Sequence, residues 1–248
     1  MRKIRNYFYI SVSILFLFFS IFVYLFYFNG NALLGQFNES ANKVFKLESI
    51  KLIGRNRSSR GKILSSINLK VGDPLFNLNL KDIRQNVLSV PWVKDVSINR
   101  NLPNSLLVVI EEYQPSAIWE FNKEQIVLDR DGYHIENVTG QKVFEDLLLV
   151  KGEEADSKFS ELILALDYHP DIASRLQYAI LIAKRRWDIY IDDQVLVKLP
   201  TGDISESLFD LKRYLKEYKF IEYGHKKIDL KIRGKIATDK APRRVINE

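Results

Sequence analysis

Residues 7–28, YFYISVSILFLFFSIFVYLFYF, are 22 consecutive positions without a charge. As a helix they would span about 33 Å, enough to cross a hydrocarbon core of about 30 Å. Tyr7, Tyr9, Tyr24 and Tyr27 stand toward the two ends, where amphipathic rings settle at a membrane–water interface. Arg2, Lys3 and Arg5 precede the run, and the next charge after it is Glu39. The positive-inside rule then keeps the N-terminus cytoplasmic and sends the remainder across. A cleaved signal peptide is the competing reading. Its apolar segment is usually about 7–15 residues long and ends at a small-x-small site; this run is longer and no such site follows. The expectation is an uncleaved single-pass anchor over 7–28, a cytoplasmic tail over 1–6 and a polar linker over 29–44.

The chain has 248 residues, which leaves length for two small domains beyond the anchor. It has no cysteine, so disulfides, thiolate metal sites and cysteine nucleophiles are excluded. The net charge of +6 includes three cations in the N-terminal tail. No compact basic stripe with interleaved aromatics follows, so a nucleic-acid partner is not indicated.

A first domain is expected over 45–114. FKLESIKLIGR, closing on Gly54, reads as a strand and turn. SSRGKILSSINL offers serine caps and Ile63, Leu64 and Ile67 at helical spacing. KVGDPLFNLN is a loop signal. Leu80, Ile83 and Val87 share one face of a second helix, which Asn79 can cap and which stops before Pro91. Trp92 to Asn99 and Leu106 to Tyr113 then read as a hairpin around NRNLPNS. Pro91, Pro103 and Pro115 fall at its start, turn and end, where no ladder donor is lost. The order is β-α-α-β-β, with the first hairpin strand as a free edge.

A second, β-rich domain is expected over 115–236. EQIVLDRDGYHIEN is two short strands around an Asp-Gly turn, and LLLVKG is another strand. SKFSELILALDYH is helical, with Pro170 as its stop. QYAILIAKRR, WDIYIDD and QVLVKLP are three strands in succession. TGDISESLFDLKRYLKEY is a helix with Asp203 as cap and Glu206 at capping-box spacing. KKIDLKIRGKIAT is a final strand pair or one long strand, and 237–248 a loose tail. The fold class is therefore α+β: an N-terminal transmembrane helix, a small domain, then a sheet carrying two packed helices.

Chemistry is sparse. His134, His169 and His225 are far apart with no metal-ligand spacing, which favours solvated or capping roles. LDRDGYH lacks the later ligands of a calcium loop, so the turn reading wins. There is no GxGxxG, GxxxxGK[ST] or GxSxG. Adjacent Glu111 and Glu112 point to opposite faces of a strand and form no acid–base pair. No enzyme, cofactor, metal or small-molecule substrate is expected. Binding or scaffolding is the better reading.

The ordered blocks do resemble one family. PWVKDVSINRNLPNSLLVVIEEYQPSAIW, then LDRDGYHI, LLLVKGEEA, RRWDIYIDDQVLVKLP and IDLKIRG are similar to the bacterial cell-division family FtsQ, also called DivIB. The carrying positions of the first block are Pro91, Trp92 and Val93, Arg100 and Pro103, Leu106, Val108 and Glu112, then Pro115 and Trp119. The resemblance implies an inner-membrane helix, a POTRA domain and a β domain, in a non-enzymatic divisome scaffold at the septum with its outer domains periplasmic. It implies FtsB-like and FtsL-like bitopic partners, and FtsK-like proteins linked to the POTRA domain. It further implies strand addition on Ile228, Asp229, Leu230, Lys231, Ile232 and Arg233. Arg185, or its neighbour Arg186, would meet an acidic partner residue. Lys231 and Ile232 stand where the family often has an arginine and an aromatic. Trp92, Val93, Lys94, Val96 and Ile98 mark a possible second docking edge. Two other readings are an outer-membrane assembly or transport protein bearing POTRA units, and a membrane-anchored cell-wall enzyme. The first lacks a following run of barrel strands, and the second lacks a nucleophile or metal set.

Overall fold

The computed structural model describes residues 13–25, 27, 44–192, 195–218 and 220–240. Residues 13–25 are helical, and their large apolar side chains, among them Leu15, Phe16 and Phe22, are exposed. Among the described residues no helix is long and apolar enough to cross a membrane. The expected span over 7–28 extends beyond the described residues, as do the tail over 1–6 and most of the linker. The chain divides into two units, Met1–Glu112 and Tyr113–Glu248.

The first unit has the expected element order: β1 (Ser49–Ile53), α1 (Arg60–Ile67), α2 (Leu80–Leu88), β2 (Val93–Asn101) and β3 (Ser105–Glu112). A single 3-10 turn, Leu75–Asn77, interrupts the loop between the helices. β3 is central, parallel to β1 and antiparallel to β2. The helix ends follow local chemistry. The Ser59 side chain accepts from the Lys62 amide, and Asn79 accepts from the amides of Lys81 and Asp82. Ile63, Leu75, Val87, Leu106 and Val108 have no exposed surface and form the core under both helices. Gly54 ends β1 at φ +84°, where a Cβ would lie 2.1 Å from the Ile110 carbonyl oxygen. No other residue fits there.

Two expectations need correction. The first strand begins only at Ser49. Upstream, Phe45 packs edge-on against Phe76, and the Leu47 amide donates to Asp73 O. The hairpin strand begins at Val93, not Trp92. Val90 O accepts from Val93 N at 3.1 Å, closing a turn with Pro91 and Trp92 at its centre. Proline suits the first central position, and the second requires a positive φ; Trp92 has φ +75°. That backbone is unfavourable for a bulky residue. Burial of Trp92 to 5% exposure holds it there.

Among the described residues the second unit holds one mixed sheet of nine strands in the order β12-β11-β10-β9-β8-β7-β4-β5-β6. β4 (Ala117–Phe121), β5 (Glu124–Leu128) and β6 (His134–Asn137) form a meander. Its second turn is held by Asp129 Oδ1, which accepts from the amides of Asp131 and Tyr133. β7 (Leu148–Lys151) is parallel to β4 and to β8 (Leu176–Ile182). β8, β9 (Arg186–Ile191) and β10 (Val195–Lys198) run antiparallel in succession. β10 is parallel to β11 (Lys227–Asp229), which β12 (Ala237–Thr238) closes in antiparallel fashion.

Two parallel joins need crossovers. β7 reaches β8 through α3 (Phe159–Tyr168) and α4 (Pro170–Ala173), and β10 reaches β11 through α5 (Ile204–Tyr218). Both steps move the same way along the sheet from strands of the same direction. Right-handed crossovers therefore set α3 and α5 on the same face. There Phe159, Leu162, Leu208 and Leu211 bury against Val150, Ala179, Ile189 and Val197. Pro170 does not simply stop α3; it opens α4 as its first residue, where its missing N–H is harmless. Ala117–Phe121 is a full strand, and Ala237–Thr238 is part of the sheet, as the strand-pair reading of KKIDLKIRGKIAT has it and the 237 tail boundary does not.

Glu112 locks the first unit. At 9% exposure it accepts from the amides of Asn56, Arg57 and Ser58 at 2.8–2.9 Å, and from the Ser58 hydroxyl. Burial alone would raise its pKa; the hydroxyl and three amides outweigh it and lower the value. Glu112→Gln sets an amide NH2 against those donors and should cost about 1–3 kcal/mol. The carboxylate's contribution is complete above its unfolded pKa, roughly 4.3, and is lost as pH falls through the lower folded value. Denaturation of the two proteins at a series of pH values should show the stability gap closing in acid. A gap independent of pH would refute the charge-based lock.

Candidate functional site

Three loops gather at one end of the second sheet. β8, β10 and β11 run parallel, so their C-terminal ends lie together. From these ends leave the β8–β9 turn, the β10–α5 loop and the β11–β12 turn. The first carries Arg185, the second Pro200 and Gly202, the third Ile232 and Arg233. A cleft of about 320 Å³ lies between the first two, floored by Leu181, Trp187 and Leu199 and bordered by Arg185, Pro200 and Gly202. Pro200 also lines a narrow crevice with Leu230, Ile232 and Arg233. A Cβ on Gly202, at φ +108°, would lie 3.2 Å from the Arg233 guanidinium. The structure thus brings the two sequence-predicted patches around one loop.

The charges at this end are mostly settled internally. Lys184 bridges Glu153 and Glu154, at 2.6 and 2.8 Å, and its pKa is raised by those carboxylates. Arg186 turns to Asp188, at 3.0 Å, with only 18% of its side chain exposed. Arg233 meets Glu206 at 2.6 Å, and Lys231 meets Asp229. Glu206 therefore serves Arg233, while Asp203 caps α5 by accepting from the Glu206 amide at 3.0 Å. Arg185 has no ion-pair partner among the described residues and is exposed. Of the two arginines offered by the sequence, Arg186 belongs to the sheet and Arg185 faces outward.

The segment 228–233 is not one strand. Ile228 is fully buried, Leu230 is 4% exposed, and the Leu230 amide donates to Lys198 O. Asp229 is half-buried, its pKa set by burial, which raises it, and by the Lys231 amide and ammonium, which together lower it. After Leu230 the chain turns: Lys235 N donates to Ile232 O, and Gly234 has φ +73°. Ile232 stands on this turn at 63% exposure. β12 covers the outer side of β11, pairing Ile228 with Thr238 and Asp229 with Ala237. The expected free edge is occupied. Alternation could not reveal this, because a two-residue strand has no period.

The second predicted edge is also altered. β2 is an edge strand, but Trp92 precedes it and Val93 and Val96 face the core. A bulge falls between Val93 and Asp95, at Lys94. The Val96 amide donates to Asp95 Oδ1 at 2.7 Å, and Val96 O accepts from Arg84 Nε at 2.9 Å. Neither backbone group can then pair with an added strand. Ile98, half-buried, lies beyond this block.

Two of the histidines, His169 and His225, are buried, while His134 is exposed as the solvated reading expects. His134 meets Asp156 at 2.8 Å, His169 is 8% exposed beside Ser205 Oγ, and His225 is 2% exposed beside Asp239.

The FtsQ-type POTRA domain model matches residues 45–113, and the model for the C-terminal region of cell division protein FtsQ/DivIB matches 117–231. Cell division protein FtsQ of Rickettsia felis is 31% identical over 230 residues, 91% of this chain and 85% of its own length. The chain belongs to the FtsQ/DivIB family. The FtsQ of Rickettsia conorii is 32% identical over 79% of this chain and 73% of its own. That of Caulobacter vibrioides NA1000 is 29% identical over 79% and 65%. A solved extracytoplasmic domain of DivIB from Geobacillus stearothermophilus aligns with 42% of this chain and 89% of its own at 16% identity; its TM-score of 0.31 is too low to add weight. The two family matches meet where the structure divides, after Glu112. Residues 45–113 are the FtsQ-type POTRA domain, and the second unit carries the C-terminal region of an FtsQ/DivIB protein.

Burial separates fold from surface in this site. Ile228→Ala, in the core, should cost about 2–5 kcal/mol. Arg233→Ala, removing an ion pair more than half exposed on each side, should cost less than about 1 kcal/mol. Urea denaturation of both variants checks the ranking; an equal loss would mean that the 231–234 turn supports the sheet.

Proposed function

We propose that this FtsQ/DivIB protein is a non-enzymatic scaffold of the bacterial division machinery. Residues 7–28 anchor it in the inner membrane as a single-pass, type II protein. Its N-terminus is cytoplasmic, and both units stand in the periplasm at the septum. The carboxyl-end surface of the β domain docks FtsB-like and FtsL-like bitopic partners, and the POTRA domain links to early division proteins such as FtsK-like ones.

One observation carries the docking reading. An exposed isoleucine, Ile232, and an arginine without an ion-pair partner among the described residues, Arg185, flank the Pro200–Gly202 loop from either side. Large exposed apolar side chains beside an unneutralised cation suit a partner segment with an apolar anchor and a carboxylate. Strand addition on β11 would supply main-chain hydrogen bonds that tolerate side-chain change. At the POTRA domain, the part of β2 beyond Val96, around Ile98, is the portion of the edge left for a second contact.

Ile232→Glu and Arg185→Glu should each abolish capture of an FtsB-like partner by the full chain, with circular dichroism and membrane insertion unchanged. A copy tagged at the cytoplasmic N-terminus should gather at division sites. Undiminished capture by both variants would remove the docking assignment, and a uniform membrane signal would remove the septal role.

A further inference from the structure

The two units differ in charge. Residues 45–112 hold eleven Lys and Arg against six Asp and Glu, while residues 113–248 hold 22 against 24. Much of the first unit's excess sits in one place, the β1–α1 loop and the first turn of α1. GRNRSSRGK, residues 54–62, contains Arg55, Arg57, Arg60 and Lys62 and no carboxylate, and all four cations are exposed. Glu112 enters this loop from β3, but it is 9% exposed, and its oxygens accept from three backbone amides and the Ser58 hydroxyl. Arg60 has no ion-pair partner among the described residues.

The loop is held in shape. Gly54 has no room for a side chain, and Glu112 ties down three successive amides. Arg55 Nη1 donates to Ser58 O at 3.0 Å, and the Arg57 guanidinium lies 5.3 Å from the centre of the Trp92 ring. A preorganised set of cations meets an anionic surface without the ordering cost of a loose tail. Exposed apolar residues border it. Ile53, 54% exposed, lies beside Val109, 36% exposed, in the β1–β3 ladder. Adsorption to a lipid surface combines buried apolar area with attraction to anionic headgroups, and this end of the domain offers both. A soluble polyanion would use the cations alone.

We propose that the 54–62 loop, with Ile53 and Val109, is a docking surface for anionic phospholipid headgroups, and that it holds the POTRA domain down on the bilayer that anchors the chain. This rests on the anchoring proposed above. On that reading only 16 residues, 29–44, separate the span from the domain. Their greatest reach is about 55 Å. β1 is about 17 Å long, so the tether lets the domain lie with this strand along the membrane.

The absence of native cysteine gives a direct test. A Cβ on Gly61 would meet Ser59 Oγ at 3.8 Å, an ordinary contact, so Gly61→Cys places a thiol in the basic segment without strain. The full chain with this thiol would be inserted into nanodiscs of phosphatidylcholine, alone or mixed with phosphatidylglycerol. Its reaction with a neutral, water-soluble maleimide would then be timed. Phosphatidylglycerol should slow labelling on the order of tenfold in low salt. The slowing should vanish in molar salt, where the Debye length falls to about 3 Å. It should also vanish when Arg60→Glu and Lys62→Glu are added. Glutamate suits the first turn of a helix, and circular dichroism would check that the fold is kept.

Equal rates in the two nanodiscs would overturn the inference, as would slowing that survives salt and charge reversal. Protection by soluble polyglutamate in phosphatidylcholine alone would also overturn it, and would reassign the loop to an acidic protein. A chain that does not enter nanodiscs would overturn the anchoring reading itself.

Discussion

The β domain depends on two parallel joins that share one direction. β7 to β8 and β10 to β11 are right-handed crossovers made from parallel strands, and that fixes α3 and α5 on a common face. The apolar positions that this face demands are then the alternate residues of the central strands, such as Ala179, Ile189 and Val197. The same parallel order collects the C-terminal ends of β8, β10 and β11. Loops distant in sequence, at Arg185, Pro200 and Ile232, meet there. The core and the proposed docking surface are two consequences of one topological choice.

The charges at that end show how a surface is made selective. Four of the cations there, Lys184, Arg186, Lys231 and Arg233, have carboxylate partners within the domain. Exposed pairs of this kind contribute little stability. Their effect is to neutralise the surroundings, which leaves Arg185 as a cation without such a partner among the described residues. On the proposed docking, a partner carboxylate gains a directional contact at one point and not across a diffuse basic patch. The apolar floor beneath it, with Trp187 only 3% exposed, adds shape to that point.

Much of this was legible in the residues. Periodicity and caps located α1, α2, α3 and α5, because Ser59, Asn79 and Asp203 make local hydrogen bonds that sequence spacing encodes. Pro91 and Pro103 marked turns because proline acts through its own φ and missing donor. What was not legible depends on distant partners. Trp92 in a left-handed backbone is stable only where its ring is buried. Glu206 sits at capping-box spacing, yet its carboxylate goes to Arg233, 27 residues on by the numbering. The two-residue β12 and the Arg84 bond to Val96 O leave no local pattern. At the proposed site, Arg185 and Ile232, the residues that the sequence singles out, are both exposed beside one loop. The sequence reading misjudged the backbone, since 228–233 is half strand and half turn.

Both domains keep their open sheet edges from pairing freely, by different means. In the POTRA domain a bulge at Lys94 and the side chains of Asp95 and Arg84 occupy the rung at Val96. In the β domain the chain's own β12 occupies the rungs at Ile228 and Asp229. This has an energetic consequence for strand addition. On the proposed docking, a strand added to this edge would contribute main-chain hydrogen bonds. Net bonds of this type contribute only about 0.5–1.5 kcal/mol each. On that proposal, most of the affinity comes from side chains, from burial of Ile232 and from a carboxylate on Arg185. The backbone edge would then set where and in which direction a partner lies, and the two flanking side chains would decide whether it stays.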